Sequence, residues 1–289
     1  MQQWFYEMYG FYPLEMVGGV FYMNHTKYEL VPIVDDEPWG EYETLIQQVC
    51  QQLQVQPITI IKNRQNQYVS DYEAMKYILI AGNGSELILS HVMQIHAFTF
   101  RKKTLDIRTT KAKWIERTDH LEHEIIPWLP RTLPNYDQLI VDCYVALGMA
   151  ENAVLYVSTI PQMAMIPTCL CNKRIEEMSS WVVCNPLHVI FDHPARDIAE
   201  LVKLDLMSDE DVFAYIENNR LTEPELSYLV ARLLFPFQLF DCAELLYTEQ
   251  GHDIKMSLNE YELQIQRIIA LVRTLLIRYS LRPIEWILR

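Results

Sequence analysis

Lys76-Tyr77-Ile78-Leu79-Ile80-Ala81-Gly82-Asn83-Gly84-Ser85 is the stretch on which the reading of the whole chain turns. Its first half is an apolar run of strand length. Its second half places two of only eight glycines two positions apart, beside Asn and Ser. Gly and Asn accept backbone conformations that end regular elements, so the run reads as a strand followed by a linker. Composition changes from strand-like to helix-like across it. The boundary is therefore placed here, with a small lobe (antiparallel sheet plus helix) over residues 1–84 and a large helical lobe over 85–289.

Upstream, Val20-Phe21-Tyr22-Met23 and Tyr28-Glu29-Leu30-Val31-Pro32-Ile33-Val34 flank Asn24-His25-Thr26-Lys27, whose turn chemistry predicts a β-hairpin. Beyond Asp35-Asp36-Glu37-Pro38, the apolar positions Ile46, Val49, Cys50 and Leu53 recur at helical spacing. Ile58-Thr59-Ile60-Ile61 and Lys76 to Ile80 read as further strands, joined through polar Asn63-Arg64-Gln65-Asn66-Gln67. The order is strand, strand, helix, strand, strand.

Downstream, Ile88, Val92 and Ile95 with Leu89, Met93 and His96 predict an amphipathic helix, and Trp114 to Trp128 another. In the last third, Ser208 to Asp211, Thr222 to Glu225 and Ser257 to Glu260 have capping-box spacing. The final helix carries Ile265, Ile268, Ile269, Val272, Leu275 and Leu276 on one face. The fold class is α+β and bilobal, with a mixed small lobe and a mainly helical large one.

Composition limits the function classes. Half of the 289 residues are apolar or aromatic, as in ordinary globular proteins. The balance of 24 basic against 38 acidic residues gives a net charge of −14, a field that repels phosphate backbones and anionic lipids. No nucleic-acid binding and no membrane insertion are expected. Met1-Gln2-Gln3-Trp4-Phe5-Tyr6-Glu7 lacks the basic and apolar segments of a signal peptide, and Arg267, Arg273 and Arg278 interrupt the apolar run Ile265 to Leu281. Synthesis in a cytoplasm follows as an expectation, with Cys50, Cys143, Cys169, Cys171, Cys184 and Cys242 reduced and acting as small buried hydrophobes.

The order of elements resembles the protein-kinase-like fold of aminoglycoside phosphotransferases, and more closely the spore coat protein family of the CotS and YutH type. The segments that carry the resemblance are Asn66-Gln67-Tyr68-Val69, Tyr77-Ile78-Leu79-Ile80, His91 to His96, Lys113-Trp114-Ile115-Glu116-Arg117, Ala231-Arg232-Leu233-Leu234-Phe235-Pro236, and above all Phe191-Asp192-His193-Pro194-Ala195-Arg196-Asp197-Ile198-Ala199-Glu200. They span nearly the whole chain.

The resemblance implies a set of catalytic positions, because phosphoryl transfer depends on holding phosphates and magnesium and orienting the acceptor hydroxyl. Gly18 and Gly19 precede the first strand, where a phosphate-covering turn would need them within the hairpin. Val31 stands where the phosphate-binding Lys or Arg would be. The catalytic loop aligns with Thr168-Cys169-Leu170-Cys171-Asn172-Lys173-Arg174-Ile175-Glu176-Glu177-Met178-Ser179, which puts Asn172 in the loop, Arg174 at the catalytic Asp and Met178 or Ser179 at the metal-binding Asn. Counting back from Asp197 places the magnesium-binding Asp at Asn185, a neutral ligand poorly suited to a hard cation. Asp197 itself is retained as a brace for the catalytic loop, and Asp192 and Arg196 are read as structural, Arg196 through a local ion pair.

What the resemblance implies is thus a pseudokinase: no catalytic residue, no ATP or magnesium as cofactor, and a spore coat-associated protein that works by binding other coat proteins. It would be made in the mother-cell cytoplasm and then join the coat. The alternative is residual ATP-dependent phosphotransfer to a small molecule or coat protein, with Glu176 or Glu177 supplying the missing carboxylate. Cys169, Cys171, Cys184 and His188 form a zinc-like set, but they coincide with loop remnants, and no metal is expected. His91 and His96, five apart on one helix, lie on different faces and read as structural. The 17 tyrosines read as core and interface residues rather than cross-linking sites.

Overall fold

The computed structural model describes residues 2–34, 37–133, 135–249 and 258–289. In chain order the elements are α1 (Gln2–Tyr9), β1 (Val20–Met23), β2 (Thr26–Ile33), α2 (Trp39–Leu53), β3 (Thr59–Ile61), β4 (Val69–Tyr72), β5 (Met75–Gly82), α3 (Leu89–Thr99), β6 (Arg101–Thr104) and α4 (Ile107–His120). A π-helical turn, Leu121–Ile125, continues α4 into α5 (Ile126–Trp128). Then follow α6 (Tyr136–Val157), β7 (Pro167–Asn172), α7 (Ser180–Val183), β8 (Val189–Asp192), α8 (Ala195–Lys203), α9 (Asp209–Asn219), α10 (Glu223–Leu234), α11 (Phe237–Glu249), α12 (Leu258–Arg278) and α13 (Glu285–Leu288).

Two compact units result, residues 1–101 with 169–192 and residues 102–168 with 193–289. Composition put the division after residue 84. By packing, α3 and the β7–β8 hairpin go with the sheet.

In the first unit the strands run β1-β2-β5-β3, all antiparallel, with β4 also paired to β5. The predicted hairpin turn is formed by Asn24 and His25, both in the left-handed region (φ 50° and 64°), which matches the twist of the flanking strands. Alternation along β2 sends Leu30 to one face and Val31 to the other. The Leu30 face is covered by α1, an element the sequence reading did not contain. Phe5 of α1 packs with Phe21, Leu30 and Leu79, ringed by Trp4, Tyr9, Phe11, Tyr28 and Tyr77. Burying Phe5 alone contributes about 1.5–3 kcal/mol. The short strand β4 was likewise unforeseen. The helix read from Ile46 to Leu53 is α2, which buries Trp39, Tyr42, Ile46, Val49 and Cys50.

The second unit is helical, with α6 packed against α4 and α10, and α10 against α8 and α12. The helix expected from Trp114 begins earlier, at Ile107, because Asp106 accepts from the Arg108 and Thr109 amides and caps it. By length and apolarity α6 could cross a bilayer, but half of its most apolar window is buried inside the protein. The capping boxes at Ser208 and Thr222 are present. Ser257, the start of the third, lies outside the described residues. On α12 the predicted face is buried at Ile268, Val272, Leu275 and Leu276.

Candidate functional site

Most of the positions singled out from the sequence belong to the first unit, and Val31 is on its sheet face opposite α1. Val31 lies there, half-buried and paired with Ile78. Two and four residues before it, on the same face, are Glu29 and Lys27, joined by an ion pair of 3.3 Å. Gly18 and Gly19 adopt positive φ, and a side chain at Gly19 would run into the Leu30 carbonyl oxygen at 2.8 Å. They let the chain pass close against β2, and the hairpin turn itself is made by Asn24 and His25.

The segment that follows β7 lies against this face. Lys27 Nζ sits 3.8 Å from the centre of the Trp181 ring. His188 is placed near Glu29, Glu176 and Lys173; burial lowers its pKa, against the raising influence of the two glutamates. Lys173 donates to Glu37 at 2.7 Å, and the Arg174 guanidinium donates to the Lys173 carbonyl at 3.1 Å. Glu176 and Glu177 are exposed, and Glu177 accepts from the Ser179 hydroxyl at 2.5 Å.

The linker read from the glycines is stitched to the same segment. Leu87 N donates to Met178 O at 2.8 Å, Ser180 N to Ser85 O at 2.8 Å, and Ser85 N to Ser180 Oγ at 2.9 Å. The Trp181 side chain lies beside Gly84, where an added Cβ would meet its Cβ at 3.5 Å.

Asn172 ends β7, buried. Asn185, assigned the divalent-ion position by counting, is fully buried in the turn before β8, and its Oδ1 accepts from Leu187 N at 3.0 Å. The carboxylate at a strand end is Asp192, which closes β8 opposite Cys169 in the antiparallel register. Asp197, in the first turn of α8, and Arg196 beside it belong to the second unit, as does His193.

The zinc-like set is split. Cys184 pairs with Cys50 of α2: its thiol donates to the Cys50 sulfur, which lowers Cys50 and, with burial, raises Cys184. His91 caps its own helix, with Nδ1 accepting from Ile88 N at 3.2 Å. His96 instead faces Cys169 and Cys171.

The family described as "Spore coat putative kinase YutH" matches residues 2–272. The chain belongs to that family. Its fold is similar to that of an aminoglycoside phosphotransferase from Alicyclobacillus acidocaldarius subsp. acidocaldarius, with TM-score 0.53, 14% identity and 92% of each chain covered. It is also similar to spectinomycin phosphotransferase APH(9)-Ia in complex with ADP and spectinomycin, with TM-score 0.57, 9% identity, and 95% of this chain and 97% of that one covered. At such identities the likeness is one of fold, and the fold is kinase-like α+β. No curated protein sequence matches the chain.

Proposed function

We propose that this spore coat family member is a pseudokinase that acts by binding other coat proteins. The observation that carries the reading is the use of the linker's own peptide groups. Ser85 N, Ser85 O and Leu87 N are engaged by residues 178–180. A purine lying against this linker would need in-plane donors and acceptors of that kind, and these are already spent. Trp181 and His188 lie over the sheet face where its phosphates would extend; that face carries Val31 at the position the resemblance gives to the phosphate-binding cation, and its Lys27 is engaged by Glu29 and Trp181.

The catalytic-loop position supports the same reading. Arg174 brings positive charge where an acceptor hydroxyl needs a carboxylate, and Asn172 and Ser179 bring none. With no acid there, the acceptor hydroxyl would have nothing to orient it. The family's name supports a coat location, and the net charge of −14 suits basic partners.

One observation favours residual phosphotransfer: Asp192, a carboxylate at the end of β8, would suit a divalent ion better than Asn185. Thermal unfolding of the full chain with millimolar ATP and magnesium separates the two, since a ligand that binds the native state raises its stability. No shift is expected. A magnesium-dependent rise in Tm with nucleotide turnover lost in Asp192→Asn overturns the pseudokinase reading. Absence of the protein from purified spores overturns the coat reading.

A further inference from the structure

We propose that His96, Cys169 and Cys171 bind a zinc ion that fastens α3 to β7. This site is independent of the kinase-like reading and differs from the set that sequence spacing suggested. The three ligand atoms all lie within 4.8 Å of one another, in a place where each residue is buried.

The geometry follows from two periodicities. Cys169 and Cys171 are two apart on a strand, so both sulfurs leave the same face, and they stand 3.5 Å apart. Two sulfurs on a tetrahedral zinc, each at ~2.3 Å, are separated by about 3.8 Å. His96 arrives from α3 by a separate constraint. Leu170 N donates to Thr99 Oγ1 at 2.9 Å, and that hydroxyl donates back to Ile95 O at 2.7 Å, locking the end of α3 against β7. One turn before Thr99 is His96, on the same face of the helix. A zinc ion, which sets N and S about 3.6 Å apart, would draw the ring nitrogen inward by at most about 1.2 Å to reach bonding distance.

The chemistry suits zinc over the alternatives. Two thiolates and a neutral imidazole are soft to borderline donors, and with a divalent ion they form a neutral site, against −2 for the bare thiolates. Two thiolates this close in a buried site repel unless protonated or neutralised by a cation. The Asp192 carbonyl oxygen, 3.4 Å from Cys171 Sγ, offers a further donor for a fourth position. A disulfide fits worse: residues two apart on a strand are about 6.6 Å apart at Cα, near the upper end of the range a disulfide spans.

The test uses the full chain, reduced, loaded with zinc and desalted over a chelating resin. One zinc per chain should be retained, and cobalt in its place should give a thiolate-to-metal charge-transfer band and the strong visible bands of tetrahedral cobalt. Cys169→Ser with Cys171→Ser should cut retained zinc to about a tenth or less, whereas Cys50→Ser with Cys184→Ser should retain it. Metal lost from the wild type on desalting, together with a weak octahedral cobalt spectrum, overturns the site. So does dependence on Cys50 and Cys184, or stoichiometric copper(I) binding that excludes zinc. Should the Cys169/Cys171 variant fail to fold, the wild-type cobalt spectrum decides alone.

Discussion

Residues 173–181 and residues 192–203 stand close together in the chain and treat polar groups in opposite ways. In the first stretch Glu176 and Glu177 are exposed, and its charges bond to near neighbours or to Glu37. In the second, every residue but Arg196 is buried, including His193, Asp197, Glu200 and Lys203. Buried polar groups cost several kcal/mol unless they are bonded, so the second stretch must be tied into its surroundings.

The ties run to both ends of α10. Ala195 N donates to His193 Nδ1 at 3.1 Å, which leaves the proton on Nε2 to donate to Glu225 Oε1 at 3.3 Å, in the first turn of α10. Ten residues later, Lys203 Nζ donates to the carbonyls of Arg232 and Phe235 at 2.9 and 2.6 Å, the orphan acceptors where α10 ends. Helix α8 therefore grips α10 at its start and at its finish. The contrast teaches that a motif residue can serve the scaffold: His193 of the Asp-His-Pro-Ala-Arg-Asp run ties to α10 whether or not the neighbouring loop performs chemistry.

Four substitutions probe the contrast, in decreasing order of effect. Lys203→Met should cost about 3 kcal/mol in urea unfolding, because two buried carbonyls lose their donor. A cost under about 1 kcal/mol would break the comparison from the scaffold side. Trp181→Ala should cost about 2 kcal/mol, since this half-buried ring is the part of the first stretch seated on the sheet beneath Lys27.

Glu225→Gln should cost about 1.5 kcal/mol at neutral pH. Burial would raise its carboxyl, but hydrogen bonds from His193 and Thr222 hold it below its ordinary value of 4.5. A depressed acid contributes its stability fully above the unfolded value and loses it as pH falls through the folded one. The wild type should therefore weaken below about pH 4.5, and Glu225→Gln should remove that part of the acid dependence. A variant that weakens as steeply as the wild type would show that the tie to His193 is not the source. Arg174→Ala should change stability by less than about 0.5 kcal/mol, and a larger loss would show that the first stretch is also scaffold.

Much of the fold was legible because its signals are local. Asn24-His25 marks a turn, Ile46 to Cys50 a helix face, and Thr222 with Glu225 a helix start, each within a few residues. Helix α1 escaped because its signal is tertiary: Trp4, Phe5 and Tyr9 make sense only against Phe21, Tyr28 and Leu79. Val69-Ser70-Asp71-Tyr72 is too short and polar to read as strand until β5 pairs with it. At the site, β-alternation puts Val31 on one face with Lys27, whereas the burial of Asn185 in the turn before β8 is seen only in the folded chain. His96 lay closer to notice, flagged with Leu89 and Met93 on a helix, yet nothing in sequence joins it to a pair of cysteines 73 and 75 positions on.

The first unit is written in two instalments, residues 1–101 and 169–192. A nascent chain emerging from the ribosome cannot finish it until more than sixty further residues have been made, so the early instalment waits with β5's linker and the His96 side of α3 uncovered. Such a gap makes the 169–192 hairpin the closing step of that unit. A truncation before Pro167 should thus leave a fragment prone to association, whereas one after Asp192 supplies every strand this unit needs.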